Sequence, residues 1–127
     1  MDGGARVVCG GTHVGTLHAP TLVDDVDPAM RISCEELFGP AVAVTRAETL
    51  DEAIALANDS RYVLSAGIFT RSLDTAMRFA RKVECGNLHV NFGPSWRADL
   101  MPYGGLKESG LGREGPHSAF HDPFHDH

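Results

Sequence analysis

Between Ala41 and Asn91 short β-branched runs alternate twice with stretches of helical periodicity, the pattern that a βαβαβ unit leaves in a sequence. The first run is Ala41-Val42-Ala43-Val44. Thr49 and Glu52 then have the spacing of a capping box, so a helix is expected from Leu50 to Ala57 with Leu50, Ala53, Ile54 and Ala57 on its core face. A second run, Ser65 to Thr70, leads to Ser72 as N-cap and Asp74 in the first turn. A second helix is expected from Leu73 to Val83, with Leu73, Ala76, Met77, Ala80 and Val83 facing the core. Gly86 stands where a left-handed C-terminal cap would fall, and Leu88-His89-Val90-Asn91 resumes as a third strand. The expected fold is α/β, with parallel strands joined by right-handed helical crossovers. Two short extended runs, Ala5 to Cys9 and Leu17 to Val23, precede this unit, with a turn at Gly10-Gly11 between them. Asp27-Pro28-Ala29-Met30 reads as a turn or a short helical turn, and a Gly-rich loop follows Phe92.

Composition narrows the function classes. A chain of 127 residues with 43% hydrophobic and 22% charged residues is long enough for one folded domain and too short for two. The net charge of -6, with scattered Lys and Arg, disfavours nucleic acid and anionic membrane surfaces. No apolar run approaches the roughly 20 residues of a membrane helix, and Met1 to Arg6 has no signal-peptide character, so a cytoplasmic protein is expected. Cys9, Cys34 and Cys85 are odd in number and form no C-x-x-C pair, which fits reduced thiols.

Several motifs carry less than they promise. Gly110-Leu111-Gly112-Arg113-Glu114-Gly115 matches G-x-G-x-x-G, but too few residues follow it for the strand-turn-helix in which that fingerprint binds a dinucleotide. His117, His121, His125 and His127 with Asp122 and Asp126 are metal-ligand types without the spacing of a rigid site, so no metal site is expected, and residues 116–127 read as a disordered His/Asp-rich tail. Cys34 precedes Glu35 and Glu36, whose charges disfavour a thiolate nucleophile.

Two segments are more specific. Glu35-Glu36-Leu37-Phe38-Gly39-Pro40 and Met101 to Glu114, which reads M-P-Y-G-G-L-K-E-S-G-L-G-R-E, flank the regular unit with Val90-Asn91 between them. Together they resemble the E-E-x-F-G-P and N…P-F-G-G-x-K-x-S-G-x-G-R-E signatures of the aldehyde dehydrogenase superfamily. The resemblance covers Gly3 to about Gly115 and implies that residues 1–115 are the carboxy-terminal part of a catalytic domain.

Members of that family oxidise aldehydes to acids through a cysteine thiolate, hydride transfer to NAD or NADP, and hydrolysis assisted by a glutamate base. The resemblance makes Glu36 the carboxylate that accepts the nicotinamide ribose hydroxyls and Phe38 its apolar neighbour. Read without it, Glu36 is a solvated charge and Phe38 a core residue. Trp96 and Tyr103 fall where the family draws aromatics to line the aldehyde tunnel, and they serve equally well as anchors of a glycine-rich loop. The segment Trp96 to Tyr103 resembles branches that act on small hydroxylated or phosphorylated aldehydes. The family's nucleophilic cysteine, base glutamate and cofactor domain lie upstream of the matched region, so no catalytic residue is expected here and cofactor binding by this chain alone should be weak or absent. A complementary fragment or self-association is the expected partner, and a non-catalytic interaction module reusing part of the fold is the alternative.

Overall fold

The computed structural model describes residues 3–110 and 112–115. The tail expected to be disordered, with its four histidines, lies outside the described residues. The chain divides between Thr49 and Leu50 into two compact units.

The first unit is built on a three-stranded sheet. Strand β1 (Arg6–Cys9) pairs antiparallel with β4 (Thr21–Asp24), and β4 pairs parallel with β5 (Ala41–Ala43). The expected single run from Leu17 to Val23 is broken. Leu17–His18 is β3, which forms a hairpin with β2 (His13–Val14), and β4 starts only after Ala19-Pro20. Proline has no N–H to give a ladder, so the break falls there. The turn expected at Asp27 is present, with the Ala29 N–H donating to the Asp27 carboxylate at 2.8 Å and the Met30 N–H to the Asp27 carbonyl at 3.0 Å. A one-turn helix α1 (Arg31–Cys34) follows. Val23 and Val26 are the buried apolar residues of this unit.

The second unit contains α2 (Leu50–Asn58), β6 (Ser65–Ile68), α3 (Leu73–Lys82) and β7 (Asn87–Val90). Both helices lie within a residue of their expected bounds. Strands β6 and β7 run parallel on either side of α3, a βαβ crossover. The continuous βαβαβ sheet is not what forms: β5 is hydrogen-bonded to β4, and β6 pairs only with β7 among the described residues. Helical periodicity reports which side of a helix is apolar and is silent on the partner of the strand before it.

Helix α3 starts as expected, with Ser72 Oγ accepting from the Thr75 N–H at 3.2 Å. Its buried face is different. Ala76 and Phe79 are buried and Val83 half-buried, whereas Leu73 is 77% exposed and Met77 and Ala80 are also exposed. The large ring of Phe79 determines which side turns inward. In α2 Ile54 is buried and Leu50 half-buried, while Ala53 and Ala57, expected on the core face, are exposed. Asp51 joins the two helices, accepting from Lys82 Nζ at 2.8 Å and Arg78 Nη2 at 3.0 Å. Asn58 does the same at their ends, donating to the Lys82 carbonyl and accepting from the Glu84 N–H, both at 2.8 Å.

The cap on α3 is Val83 in an extended conformation, and Gly86 does not have a left-handed backbone. Glycine is needed at position 86 for a different reason. A Cβ there would lie 1.7 Å from the Gly104 carbonyl oxygen, so the missing side chain lets the backbone of residue 104 approach the start of β7. Residues Tyr103–Gly104 form β8, paired antiparallel with β9 (Arg113–Glu114).

Candidate functional site

In the first unit Leu37, Phe38, Gly39 and Pro40 border a cavity of about 530 Å³, opposite His18 and Thr21. Phe38 is 90% exposed, so the core reading of its ring fails. Glu36 is also exposed and makes no hydrogen bond or ion pair among the described residues, but it does not line this cavity. An unpaired carboxylate and an open aromatic face two residues apart are groups left available to a ligand.

In the second unit Trp96 is half-exposed and packs against Phe92, ring centres 5.4 Å apart, and edge-on against His89 at 6.0 Å. His89 is 5% exposed, and its Nε2 has no hydrogen-bond partner among the described residues. Tyr103 is half-buried in β8 beneath the Arg97 guanidinium, which lies 5.4 Å from its ring centre and donates to Glu114 Oε2 at 2.6 Å. Arg97 follows Trp96 in the chain and so joins the two aromatic residues.

The Gly-rich segment is fastened by residues whose role the sequence did not disclose. Lys107 Nζ donates to the carbonyls of Asn58 at 3.3 Å and Ser60 at 3.4 Å, a cation at the negative end of α2, and pairs with Glu84 Oε2 at 2.7 Å. Ser109 Oγ accepts from the Val63 N–H at 3.0 Å, and the Glu108 N–H donates to the Arg61 carbonyl. Asn87 Nδ2 donates to the Gly104 carbonyl at 3.2 Å. Asn91, at φ 59, uses its side-chain oxygen to accept from the Thr70 N–H. The Lys and Ser of the G-G-x-K-x-S stretch are legible as a motif, but their backbone partners Asn58, Ser60 and Val63 lie more than 40 residues away along the chain. Within the G-x-G-x-x-G match, Arg113–Glu114 form β9 of the antiparallel pair with β8.

The three cysteines are all free thiols. Cys9 and Cys34 are exposed, with Cys34 Sγ donating to the Pro28 carbonyl at 3.1 Å. Burial pushes the Cys85 thiol up, away from the thiolate.

The sequence-model comparison decides the ancestry: residues 1–125 match the aldehyde dehydrogenase family. The chain belongs to the aldehyde dehydrogenase family. It is 43% identical over 122 residues to the 3-sulfolactaldehyde dehydrogenase of Priestia aryabhattai, covering 96% of this chain and 26% of that protein. It is 47% identical over 117 residues to the succinate-semialdehyde dehydrogenase [NADP(+)] of Deinococcus radiodurans, covering 90% of this chain and 24% of the relative. Among solved structures, aldehyde dehydrogenase 21 from Physcomitrella patens, in complex with the reaction product succinate, matches with a TM-score of 0.88 at 37% identity, over 92% of this chain and 24% of that one. This aldehyde dehydrogenase chain therefore spans about a quarter of the length of the relatives it matches, and it shares their mixed α/β fold over that quarter.

Proposed function

We propose that this chain is the carboxy-terminal part of the catalytic domain of an NAD(P)-dependent aldehyde dehydrogenase, and that alone it does not oxidise aldehydes. The observation that supports this most is the pairing of 43% identity along nearly the whole chain with coverage of 26% of the relative. The Cys85 thiol, which burial pushes up and away from the thiolate, supports the same reading, because the reaction needs a thiolate to attack the carbonyl.

In the whole enzyme, Glu36 and Phe38 would hold the nicotinamide end of the cofactor. The free carboxylate of Glu36 accepts hydroxyl hydrogen bonds, and the exposed face of Phe38 covers an apolar ring. The cofactor, when bound, takes up hydride from the substrate. Residues of this chain position it. Glu36 and Phe38 would contact only one end of a dinucleotide, so NAD or NADP should bind this chain weakly or not at all.

Trp96 and Tyr103 would line the substrate's path, with Arg97 between them supplying a cation. The named substrates of the two relatives are a sulfonated aldehyde and a semialdehyde with a carboxylate. An aldehyde bearing an anionic group at its far end is the substrate class that Arg97 best suits.

The test is turnover. Purified chain incubated with NAD or NADP and a panel of aldehydes is expected to give no reduced nicotinamide. Turnover that persists when Cys9, Cys34 and Cys85 are all replaced by Ala would show that the chemistry is misassigned, and turnover lost in only one single replacement would reveal a nucleophile in this chain.

A further inference from the structure

We propose that the β2-β3 hairpin carries a two-histidine chelate for a divalent transition-metal cation, formed by His13 and His18. This site is independent of the assignment to aldehyde oxidation.

The geometry comes from the register. His13 and His18 face each other across the hairpin, one pair removed from the two-residue turn at Gly15-Thr16. Gly15 has φ 59, the left-handed conformation that a tight hairpin turn requires. The Ala19 N–H donates to the Thr12 carbonyl at 3.0 Å, so Thr12 with Ala19 is a hydrogen-bonded pair. Pairs alternate along an antiparallel ladder, which makes His13 with His18 the closer, non-hydrogen-bonded kind, about 4.5 Å between Cα atoms. Both side chains leave the same face, and their rings stack with centres 5.3 Å apart and planes 29° apart.

The chemistry follows from a carbonyl. His13 Nδ1 lies 3.3 Å from the Gly15 carbonyl oxygen, which can only accept, so this contact suits the tautomer that carries its proton on Nδ1 and leaves Nε2 for a metal. A metal-ligating histidine is commonly oriented in this way by a backbone carbonyl at its other nitrogen. His18 supplies the second imidazole. Both residues are exposed, so a cation has access to the two imidazoles and would bond each at about 2.0–2.1 Å. Imidazole pairs suit Zn2+, Ni2+ and Cu2+. No group of three or more ligand-type residues exists among the described residues, so water completes the shell and binding is weaker than at a four-ligand site. His18 also borders the cavity beside Phe38, so a bound cation would brace the hairpin at that rim.

The experiment uses the full chain with His117, His121, His125 and His127 replaced by Gln, which removes the tail imidazoles as competing ligands. Titration with Zn2+ by calorimetry should give one site per chain. His13→Gln and His18→Gln should each weaken it at least tenfold, and the double replacement should add little, because either loss destroys the chelate. Ring-nitrogen NMR on the same protein should show His13 and His18 shifting together as Zn2+ is added. Absence of a site in this background, single replacements that bind as the parent does, or shifts confined to one ring would each overturn the proposal and leave a stacked surface pair with a packing role.

Discussion

At the scale of single residues, Arg97 is the most informative group in the proposed substrate region. Its guanidinium is shared between the Tyr103 ring and the Glu114 carboxylate, so an incoming anion would take over a cation already held in place by an aromatic face. In a complete enzyme containing this segment, Arg97→Met should raise KM for succinate semialdehyde about tenfold, the effect of losing roughly 1.4 kcal/mol of charge-assisted binding, and leave an uncharged aldehyde nearly unaffected. Steady-state kinetics with both substrates would check it, and equal losses for both would assign Arg97 to loop structure alone. Arg97 was visible in the sequence only as one basic residue between two aromatics. Gly86 shows the opposite limit, since its sequence position marked it as special for a helix cap when the cause is the Gly104 carbonyl 18 residues away. Residues whose role rests on local geometry, such as Ser72 and Asp27, were legible, and those whose role rests on a distant backbone were not.

At the scale of elements, the tie between α2 and α3 has a definite pH dependence. Hydrogen bonding from Lys82, then the charges of Lys82 and Arg78, hold the Asp51 carboxyl below its ordinary value. A carboxyl with a depressed folded-state pKa stabilises the fold above its unfolded pKa of about 3.9, and this contribution is lost as pH falls through the lower folded value. Asp51→Asn should therefore flatten the acid limb of a stability profile followed by circular dichroism and change little when both variants are compared in high salt. An unchanged acid limb would mean that the ion pairs contribute nothing measurable, as exposed pairs often do. The elements themselves were readable because caps and periodicity are local signals. Strand pairing was not, because β5 takes its partner from β4 across the Glu35–Pro40 loop and the sequence around β5 holds no record of that choice. The inward face of α3 is legible only in part for a related reason: Leu73, Met77 and Ala80 give a helical periodicity as good as that of Ala76 and Phe79, and only packing selects between them.

At the scale of the whole molecule, the described residues bury few apolar side chains and expose many. Val23, Val26, Ile54, Val63, Ala76 and Phe79 form the buried apolar set, while Phe38, Phe69, Leu73 and Leu100 are each more than 70% exposed. Open strand edges at the two-stranded β6-β7 sheet add to this. The chain alone is expected to self-associate or to be only marginally stable, with unfolding free energy of roughly 5 kcal/mol at most. Light scattering and urea unfolding test this together, and a monodisperse monomer with a cooperative transition at high urea would favour the self-sufficient interaction module instead.

The family assignment and the proposed role of this segment meet in one measurement. The corresponding quarter of the Priestia aryabhattai 3-sulfolactaldehyde dehydrogenase can be replaced by residues 1–115 of this chain, and the chimera assayed for aldehyde oxidation with NAD and NADP. The relative would supply the remainder of the enzyme and this chain would supply Glu36, Phe38 and the Trp96–Tyr103 segment. The chimera is predicted to reduce the cofactor, and Glu36→Gln in it to raise KM for the cofactor. A folded chimera that neither binds nor reduces NAD or NADP would contradict the reading of this chain as a working part of an aldehyde dehydrogenase.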